Sequence, residues 1–280
     1  MNCRLSTDKG PIGVFDSGYG GLTILRAIQD ELPEYDYIYL GDNARAPYGT
    51  RSFDIVYQFT KQAVIKLFDM GCNLVILACN TASAKALRTI QQYDLPQIDP
   101  TKRVLGVIRP TAEIIGKLTK TNHVGILATE GTIRSKSYDI EIRKLWSNIV
   151  VSGEACPLWV PIIENNEASG EGADYFVEKR IKNILLSDPL IDTLLLGCTH
   201  YPLLLPKIKK YLPNHVRAIA QGEYVANSLR NYFKRHIEMD IRCTKNGTIK
   251  YFTTENPIKF KENAQIFLAK DIYVSHIDLE

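Results

Sequence analysis

The sequence contains no long hydrophobic run, although 45% of its 280 residues are hydrophobic. Its longest apolar stretches have the length of a buried strand, whereas a membrane-spanning helix needs roughly 20 apolar residues in succession. The N-terminal segment Met1–Lys9 also lacks the apolar centre of a secretory signal peptide. We therefore predict a globular protein that has no contact with membranes and is located in the cytoplasm.

A large excess of charge of one sign is missing too. The chain has 34 Lys and Arg residues against 31 Asp and Glu residues, which gives a formal net charge of +3. Proteins that bind nucleic acid through its phosphates usually carry a clear basic excess. We therefore expect no nucleic-acid partner, and the length of the chain predicts about two domains.

Closely paired cysteines are absent as well. The six cysteines are sparse and form no CxxC pair, which argues against a disulfide framework and against a zinc ribbon. Four of them lack a context that suggests chemistry, and we interpret these as structural or incidental: Cys3, Cys72, Cys156 and Cys243. The other two each follow an apolar run of strand length.

The first of these is Cys79, in the segment Leu74–Ser83, where a buried strand leads into a helix. At such a turn the free N–H groups of the helix favour a thiolate. A buried structural cysteine would be the simpler interpretation of a single match. The segment Thr193–Pro202 repeats the arrangement, however, with Cys198 directly after its strand.

The segment Pro11–Gly21 predicts another strand, which ends in a polar, glycine-rich turn. The turn is not a dinucleotide fingerprint, because Thr23 stands where that motif needs glycine. Its N–H groups can bind an anion, and Asp16 can bind an ammonium group or transfer protons. The alternative role of Asp16 and Ser17 is helix capping.

Strands and helices alternate along the chain, which predicts parallel sheets whose ligands bind at the carboxyl ends of the strands. Asp16, the loop around Tyr48 and Cys79 all fall at such ends. The pattern restarts after residues 92–102, and Thr129 follows its strand as Asp16 does. Asp16 and Cys79 are 63 positions apart, and Thr129 and Cys198 are 69 apart. The two halves therefore resemble two versions of one unit.

We accordingly predict an α/β fold with two similar doubly wound parallel-sheet domains, related by a pseudo two-fold axis, and an active site in the cleft between them. The predicted first domain is discontinuous and comprises residues 1–98 and 211–280, while residues 99–210 form the second. We also expect a loop at residues 160–167. The Asn246-Gly247 pair indicates a hairpin turn, so residues 241–253 are expected to hold an antiparallel pair.

Two thiols that approach a small ligand from opposite sides suit the inversion of a carbon centre. A thiolate removes the α-proton from one face, and a thiol returns a proton to the other face. No segment resembles a pyridoxal-phosphate lysine site, so oriented donors must stabilise the carbanion. The candidate donors are side chains at strand ends: Ser17, Asn80, Thr81 and Thr199. Asp16 can assist Cys79 and His200 can assist Cys198, the alternative for His200 being a capping or core role.

Five segments in this order together resemble the aspartate/glutamate racemase family, and within it the glutamate racemases. The resemblance spans Pro11 to about Leu229. The segments are Phe15-Asp-Ser-Gly-Tyr-Gly-Gly-Leu, Gly41-Asp through Pro47-Tyr-Gly-Thr, Ala78-Cys-Asn-Thr-Ala-Ser, Ala128-Thr-Glu-Gly-Thr-Ile-Arg-Ser and Gly197-Cys-Thr-His-Tyr-Pro-Leu-Leu.

The resemblance implies two α/β domains with the active site between them and interconversion of L- and D-glutamate without a cofactor, supplying D-glutamate for peptidoglycan. It implies that Cys79 and Cys198 are the acid/base pair, with Glu164 as an auxiliary carboxylate. It also implies a set of substrate-binding residues: Asp16, Ser17, Tyr48, Gly49, Asn80, Thr81, Thr199 and His200. Glutamate is then the expected partner, no metal is expected, and a homodimer is a possible assembly.

Two positions depart from the family pattern. Arg109 precedes Pro110 where an acidic residue or lysine is expected, and residues 220–223, which include Gln221, replace the usual Asp-Ser before a helix. Neither change touches the two cysteines. Beyond about Tyr232 the resemblance is too weak to interpret.

Other functions remain compatible with these residues. An aspartate racemase or a racemase of another amino acid would share both cysteines and differ in the size of its pocket. A Cys-His hydrolase would use one nucleophile and leave the second cysteine unexplained. A two-lobed amino-acid binding protein usually carries an export signal, which this chain lacks. A metal site can also be drawn from Cys79, Cys198, His200 and Asp16, although we expect no metal there.

Overall fold

The structure is a computed structural model that describes residues 8–279, and Cys3 lies outside them. Its strands form two sheets in which every pair of neighbours is parallel. The strands are β1 Ile12–Asp16, β2 Tyr37–Gly41, β3 Leu74–Leu77, β4 Arg103–Gly106, β5 His123–Ala128, β6 Val150–Ala155, β7 Thr193–Gly197, β8 Arg217–Ile219, β9 Ile249–Thr253 and β10 Val274–His276. The predicted fold of two parallel-sheet α/β units is confirmed.

The two sheets share one strand order. The six-stranded sheet has the order β10-β9-β2-β1-β3-β4, and the four-stranded sheet has the order β6-β5-β7-β8. In the first sheet β1 lies between β2 and β3, and β4 lies beside β3. In the second sheet β5 lies in the same way between β6 and β7, and β8 lies beside β7. The equivalence puts Cys79, after β3, and Cys198, after β7, at corresponding positions.

Helices cover both sheets and connect the strands. They are α1 Leu22–Glu31, α2 Phe53–Asp69, α3 Asn80–Lys85, α4 Leu87–Thr89, α5 Leu95–Ile98, α6 Ile108–Leu118, α7 Glu130–Ser135, α8 Ser137–Leu145, α9 Trp159–Glu164, α10 Glu171–Ser187, α11 Leu205–Tyr211, α12 Gly222–Arg235, α13 Ile237–Ile241 and α14 Pro257–Leu268, with a π-helical turn at Ile90–Asp94 and 3₁₀ turns at Asn43–Arg45 and Tyr201–Leu204. None of the helices formed by residues 8–279 combines the length and apolar character of a membrane span.

The central strands are apolar because helices cover both of their faces. Every residue of β1, β3 and β7 is buried, whereas the edge strand β6 is partly exposed along its length. One apolar cluster continues from Ile12 and Ile76 in the larger sheet to Leu194 and Leu196 in the smaller sheet. The two sheets are therefore packed as one body around the cleft between them.

Two strands pair differently from what the predicted domain boundaries imply. We assigned residues 99–210 to the second domain, but β4 pairs with β3 in the six-stranded sheet. We assigned residues 211–280 to the first domain, but β8 pairs with β7 in the four-stranded sheet. We therefore propose that the chain crosses between the domains after β4 and returns after β8.

The expected loop at residues 160–167 is wrong over most of its length. Residues 160–164 belong to helix α9, and Pro161 lies in the first turn of this helix, where the missing N–H of proline would have no intrahelical partner in any case. The connection at residues 92–102 is also helical up to Ile98, where α5 continues directly from the π-helical turn.

The predicted hairpin around Asn246-Gly247 is also wrong. Gly247 does adopt a left-handed backbone conformation, with φ of +70°. However, α13 precedes this turn, and β9 after it pairs in parallel with β2 and β10. The turn therefore connects a helix to an added parallel strand.

Candidate active site

A cavity of about 480 Å³ lies between the two sheets, at the ends of β1, β3, β5 and β7. Its lining includes every sequence-predicted site residue except Asp16. Those residues are Ser17, Tyr48, Gly49, Cys79, Asn80, Thr81, Cys198, Thr199 and His200, and Glu164 lies among them. The strand-end pattern therefore brings together side chains that are far apart in the sequence.

Cys79 caps helix α3 on the first side of the cavity. Its Sγ lies 3.4 Å from the Ala82 N–H and 3.4 Å from Ser17 Oγ. Burial raises the pKa of the Cys79 thiol to about 12, and the nearby Asp16 carboxylate acts in the same direction, while these two hydrogen bonds oppose them. The expected preference for a thiolate at this helix end is thus outweighed by burial.

Asp16 lies behind the cavity wall. It is 1% exposed, and its Oδ2 accepts a hydrogen bond from the Gly18 N–H at 2.9 Å. Within residues 8–279 its Oδ1 has no hydrogen-bond partner. Burial raises the pKa of this carboxyl, although the positive charge of His200 opposes the shift. Asp16 therefore acts on the site as a buried neighbour of Cys79 rather than by lining the cavity.

Cys198 has a different partner on the second side. Its Sγ lies 3.8 Å from His200 Nδ1, and His200 Nε2 lies 2.8 Å from Glu164 Oε1 at the end of α9. Burial alone would lower the pKa of His200, but the contacts with Cys198 and Glu164 raise it to about 10. At neutral pH the ring is therefore an imidazolium held between a sulfur and a carboxylate.

The glycine-rich turn after β1 packs directly against the Cys198 side. A Cβ atom on Gly20 would lie 2.3 Å from Thr199 Oγ1 and 2.3 Å from His200 Nδ1. The Thr23 hydroxyl, one turn further on, donates a hydrogen bond to the Thr199 carbonyl at 2.9 Å. Glycine is therefore required at position 20 for the two halves of the site to approach each other.

The loop that carries Tyr48 and Gly49 closes another wall. The Tyr48 hydroxyl donates a hydrogen bond to Asp42, which also accepts one from Arg45 Nε at 2.7 Å. The Gly49 carbonyl accepts a hydrogen bond from the Gly131 N–H at 2.8 Å, across the cleft. This loop is therefore fixed to both halves of the molecule.

Several cavity residues were missed by the sequence reasoning. Glu255, Lys259 and Asn263 come from the segment around α14, beyond the part of the chain that we could interpret. The signal for this helix is Asn256-Pro257, an N-cap followed by proline at the first helical position. Cys156, which we interpreted as structural or incidental, also lines the cavity.

The two departures from the expected pattern have different surroundings. Arg109 is partly exposed and pairs with Glu113 at 2.9 Å and Glu141 at 3.3 Å, away from the cavity. Gln221 is 2% exposed, and its Oε1 accepts a hydrogen bond from Asn80 Nδ2 at 2.8 Å. Only Gln221 therefore contacts a residue of the site.

A sequence model of the Asp/Glu/hydantoin racemases matches residues 22–228, which is most of the chain. The chain belongs to the Asp/Glu/hydantoin racemase family. It is an isomerase. The glutamate racemase of Roseobacter denitrificans is 39% identical to this racemase over 274 residues, which cover 94% of this chain and 98% of the relative. The glutamate racemase of Streptococcus suis is 37% identical over 276 residues, covering 97% of this chain and all of the relative.

A solved structure agrees with this family assignment. The glutamate racemase of Francisella tularensis, in complex with D-glutamate, matches with a TM-score of 0.86 and 34% identity. The match covers 98% of this racemase and 99% of that chain. This racemase therefore shares the fold of that solved structure along nearly its whole length.

Proposed function

We propose that the protein interconverts L-glutamate and D-glutamate by moving the Cα proton between Cys79 and Cys198. The observation that carries this proposal is that both thiols, from corresponding strand ends of two sheets, line one cavity. The names of the relatives supply the substrate, since the proteins similar over nearly the whole chain are glutamate racemases.

The proposed reaction balances as two proton transfers. The thiolate of one cysteine takes the proton from Cα, and the electron pair of the C–H bond is delocalised into the α-carboxylate. The thiol of the other cysteine then gives its proton to the opposite face of Cα. The first cysteine ends as a thiol and the second as a thiolate, and the reverse reaction uses them in exchanged roles.

Hydrogen-bond donors around the cavity stabilise the negative charge on the substrate. We assign the carboxylates of glutamate to the hydroxyls of Ser17, Thr81 and Thr199 and to the amide of Asn80, together with the N–H groups of the turns. The His200 imidazolium adds a positive charge beside Cys198. Donors fixed in place before the reaction stabilise a developing anion most effectively.

The test is to incubate the metal-free protein, without added cofactor, with L-glutamate in D₂O. We expect optical activity to decay while deuterium enters Cα. Cys79→Ser and Cys198→Ser should each abolish racemisation, because a hydroxyl is a far weaker acid than a thiol. A folded wild-type protein that leaves glutamate unlabelled and optically intact would contradict the assignment.

The nearest alternative substrate is aspartate, which would use the same two thiols. A comparison of kcat/KM for aspartate and glutamate distinguishes the two, and a clear preference for aspartate would overturn our choice. A Cys-His hydrolase would use one nucleophile and leave the second thiol of the cavity without a role. Such an enzyme should form a covalent acyl intermediate, which mass spectrometry would detect.

We further propose that the protein acts in the cytoplasm, without a cofactor, to supply D-glutamate for peptidoglycan, and that it forms a homodimer. These points come from the resemblance to glutamate racemases. Depletion of the protein should then make growth depend on added D-glutamate, and sedimentation should give about twice the monomer mass of 31.6 kDa. Growth that needs no D-glutamate would contradict the proposed pathway.

A further inference from the structure

Gln221 forms the centre of a buried polar network behind the cavity. Its Oε1 accepts a hydrogen bond from Asn80 Nδ2 at 2.8 Å. Its Nε2 lies 3.2 Å from the Val107 carbonyl, 3.0 Å from Thr111 Oγ1 and 2.7 Å from the Tyr138 hydroxyl. The Tyr138 hydroxyl in turn donates to Asn80 Oδ1 at 2.5 Å. The amide of Asn80 is therefore held at both ends.

The donor and the acceptor of each hydrogen bond in this network can be assigned. The Val107 carbonyl can only accept, so the nitrogen of the Gln221 amide must face it. The oxygen of Gln221 then faces Asn80, which must donate through its own nitrogen. Tyr138 accepts from Gln221 and donates to the oxygen of Asn80. A backbone carbonyl thus determines, through Gln221, which way the Asn80 amide points.

This orientation decides what Asn80 offers to a ligand. Asn80 follows Cys79 directly and lines the cavity. Its oxygen is engaged by Tyr138 and one of its two N–H groups by Gln221. The amide nitrogen carries two N–H groups, and Gln221 Oε1 takes one of them. The other is left for a ligand, and a donor suits a carboxylate.

We propose that Gln221 is a positioning residue, which fixes the Asn80 amide so that it donates to a carboxylate of the substrate beside Cys79. The proposal rests on the proposed function, because it concerns the binding of glutamate in the same cavity. Gln221 does not line the cavity itself, and the side chain of the cavity that it bonds directly is that of Asn80. It explains why an amide, which both donates and accepts, occupies position 221.

The test compares Gln221→Met with the wild type in steady-state racemisation of glutamate. Methionine keeps the length of the side chain and removes both polar atoms. We expect KM to rise about tenfold, as loss of a hydrogen bond to a charged group predicts, with kcat changed less than about threefold. The matched control is Gln91→Met, which removes a single hydrogen bond to the Val104 carbonyl outside this network and should leave both constants unchanged.

A double substitution separates positioning from general packing. If Gln221 acts through Asn80, adding Gln221→Met to Asn80→Ala should change KM by less than about twofold. The proposal would be overturned if Gln221→Met raised KM tenfold in the Asn80→Ala background as well. It would also be overturned if Gln221→Met alone did not raise KM. Should Gln221→Met fold poorly, Tyr138→Phe tests the same network and should raise KM about threefold, because Asn80 loses its second restraint. An unchanged KM for a folded Tyr138→Phe would also count against it.

The wild-type protein in the same assay separates the two proposals. If it racemises glutamate and Gln221→Met behaves normally, only the positioning role fails. If it does not act on glutamate, the proposed function fails and the role of Gln221 in binding glutamate fails with it.

Discussion

The two cysteines occupy equivalent positions in two sheets of one strand order, but their neighbours differ in charge. Cys79 is followed by Asn80 and Thr81, whereas Cys198 is followed by Thr199 and His200. At the end of the first strand of each half, Asp16 in one sheet corresponds to Thr129 in the other. A buried carboxyl group therefore accompanies Cys79, and a basic ring with a raised pKa accompanies Cys198.

This difference teaches that the repeated topology determines where the thiols lie, and that individual side chains determine how they ionise. Burial and Asp16 favour the neutral thiol at Cys79. Cys198 instead has the His200 ring beside it, and the contacts of this ring with Cys198 and Glu164 raise the pKa of His200. The two thiols that would exchange the proton therefore lie in different electrostatic surroundings.

The largest effect on this asymmetry should come from His200→Asn, which removes the cation beside Cys198. We expect kcat/KM to fall about 100-fold, a typical contribution of a group that assists proton transfer. L- and D-glutamate have equal free energies in water, so kcat/KM must fall equally in both directions. The asymmetry should instead appear as unequal deuterium incorporation in single turnovers that start from the two enantiomers. Equal incorporation would contradict the distinct roles of the two sides.

Glu164→Gln should have a smaller effect than His200→Asn, because it leaves the His200 ring in place. It keeps a polar partner for His200 but removes the carboxylate that raises its pKa, so the alkaline limb of kcat/KM should move down by about one pH unit. The raised pKa of His200 stabilises the fold fully below about 6.5, and this contribution is lost as the pH rises through about 10. The melting temperature of the wild type should therefore fall more steeply over that range than that of Glu164→Gln.

A moderate effect is expected on the Cys79 side, where two substitutions should act in opposite directions. Asp16→Asn removes a charge that raises the pKa of Cys79, so the thiol should react faster with iodoacetamide. Ser17→Ala removes a hydrogen bond that lowers this pKa, so the thiol should react more slowly. We expect changes of roughly threefold or more at pH 9, measured by peptide mass spectrometry in a Cys198→Ser background.

The two substitutions are expected to change the rate of alkylation in opposite directions, which controls for a simple change in access to the thiol. If both substitutions accelerate alkylation, loosening of the site explains the data better than electrostatics. Thermal melts of both variants show whether the protein remains folded.

Much of the fold could be predicted from the sequence, because buried parallel strands are continuous apolar runs. β1, β3 and β7 were predicted in this way, and each ends at a polar turn that carries site residues. β6 was missed because its sequence, residues 150–155, is half polar and its edge position leaves it partly exposed. The added strands β9 and β10 were not assigned to the sheet order, since parallel pairing joins segments distant in sequence.

The predictable part of the site comprises residues at strand ends, such as Cys79 and His200. The contact between His200 and Glu164 could not be derived from local pattern, since α9 approaches β7 only in the folded chain. The same holds for Lys259, which α14 brings to the cavity wall from the C-terminal segment. The burial that raises the pKa of Cys79 depends on packing from both halves and was therefore mispredicted from the helix end alone.

The last predicted effect is on stability rather than on rate, and it concerns the place where the two sides touch. In Gly20→Ala the added methyl group would overlap Thr199 Oγ1 and His200 Nδ1, so we expect a loss of about 1–3 kcal/mol in the free energy of unfolding. The matched control is Gly172→Ala in α10, where no atom lies within 4 Å of the added Cβ. That variant should be more stable by up to about 1 kcal/mol, because alanine favours the helix. Chemical denaturation measures both, and equal stabilities would show that the two halves of the site do not need this close contact.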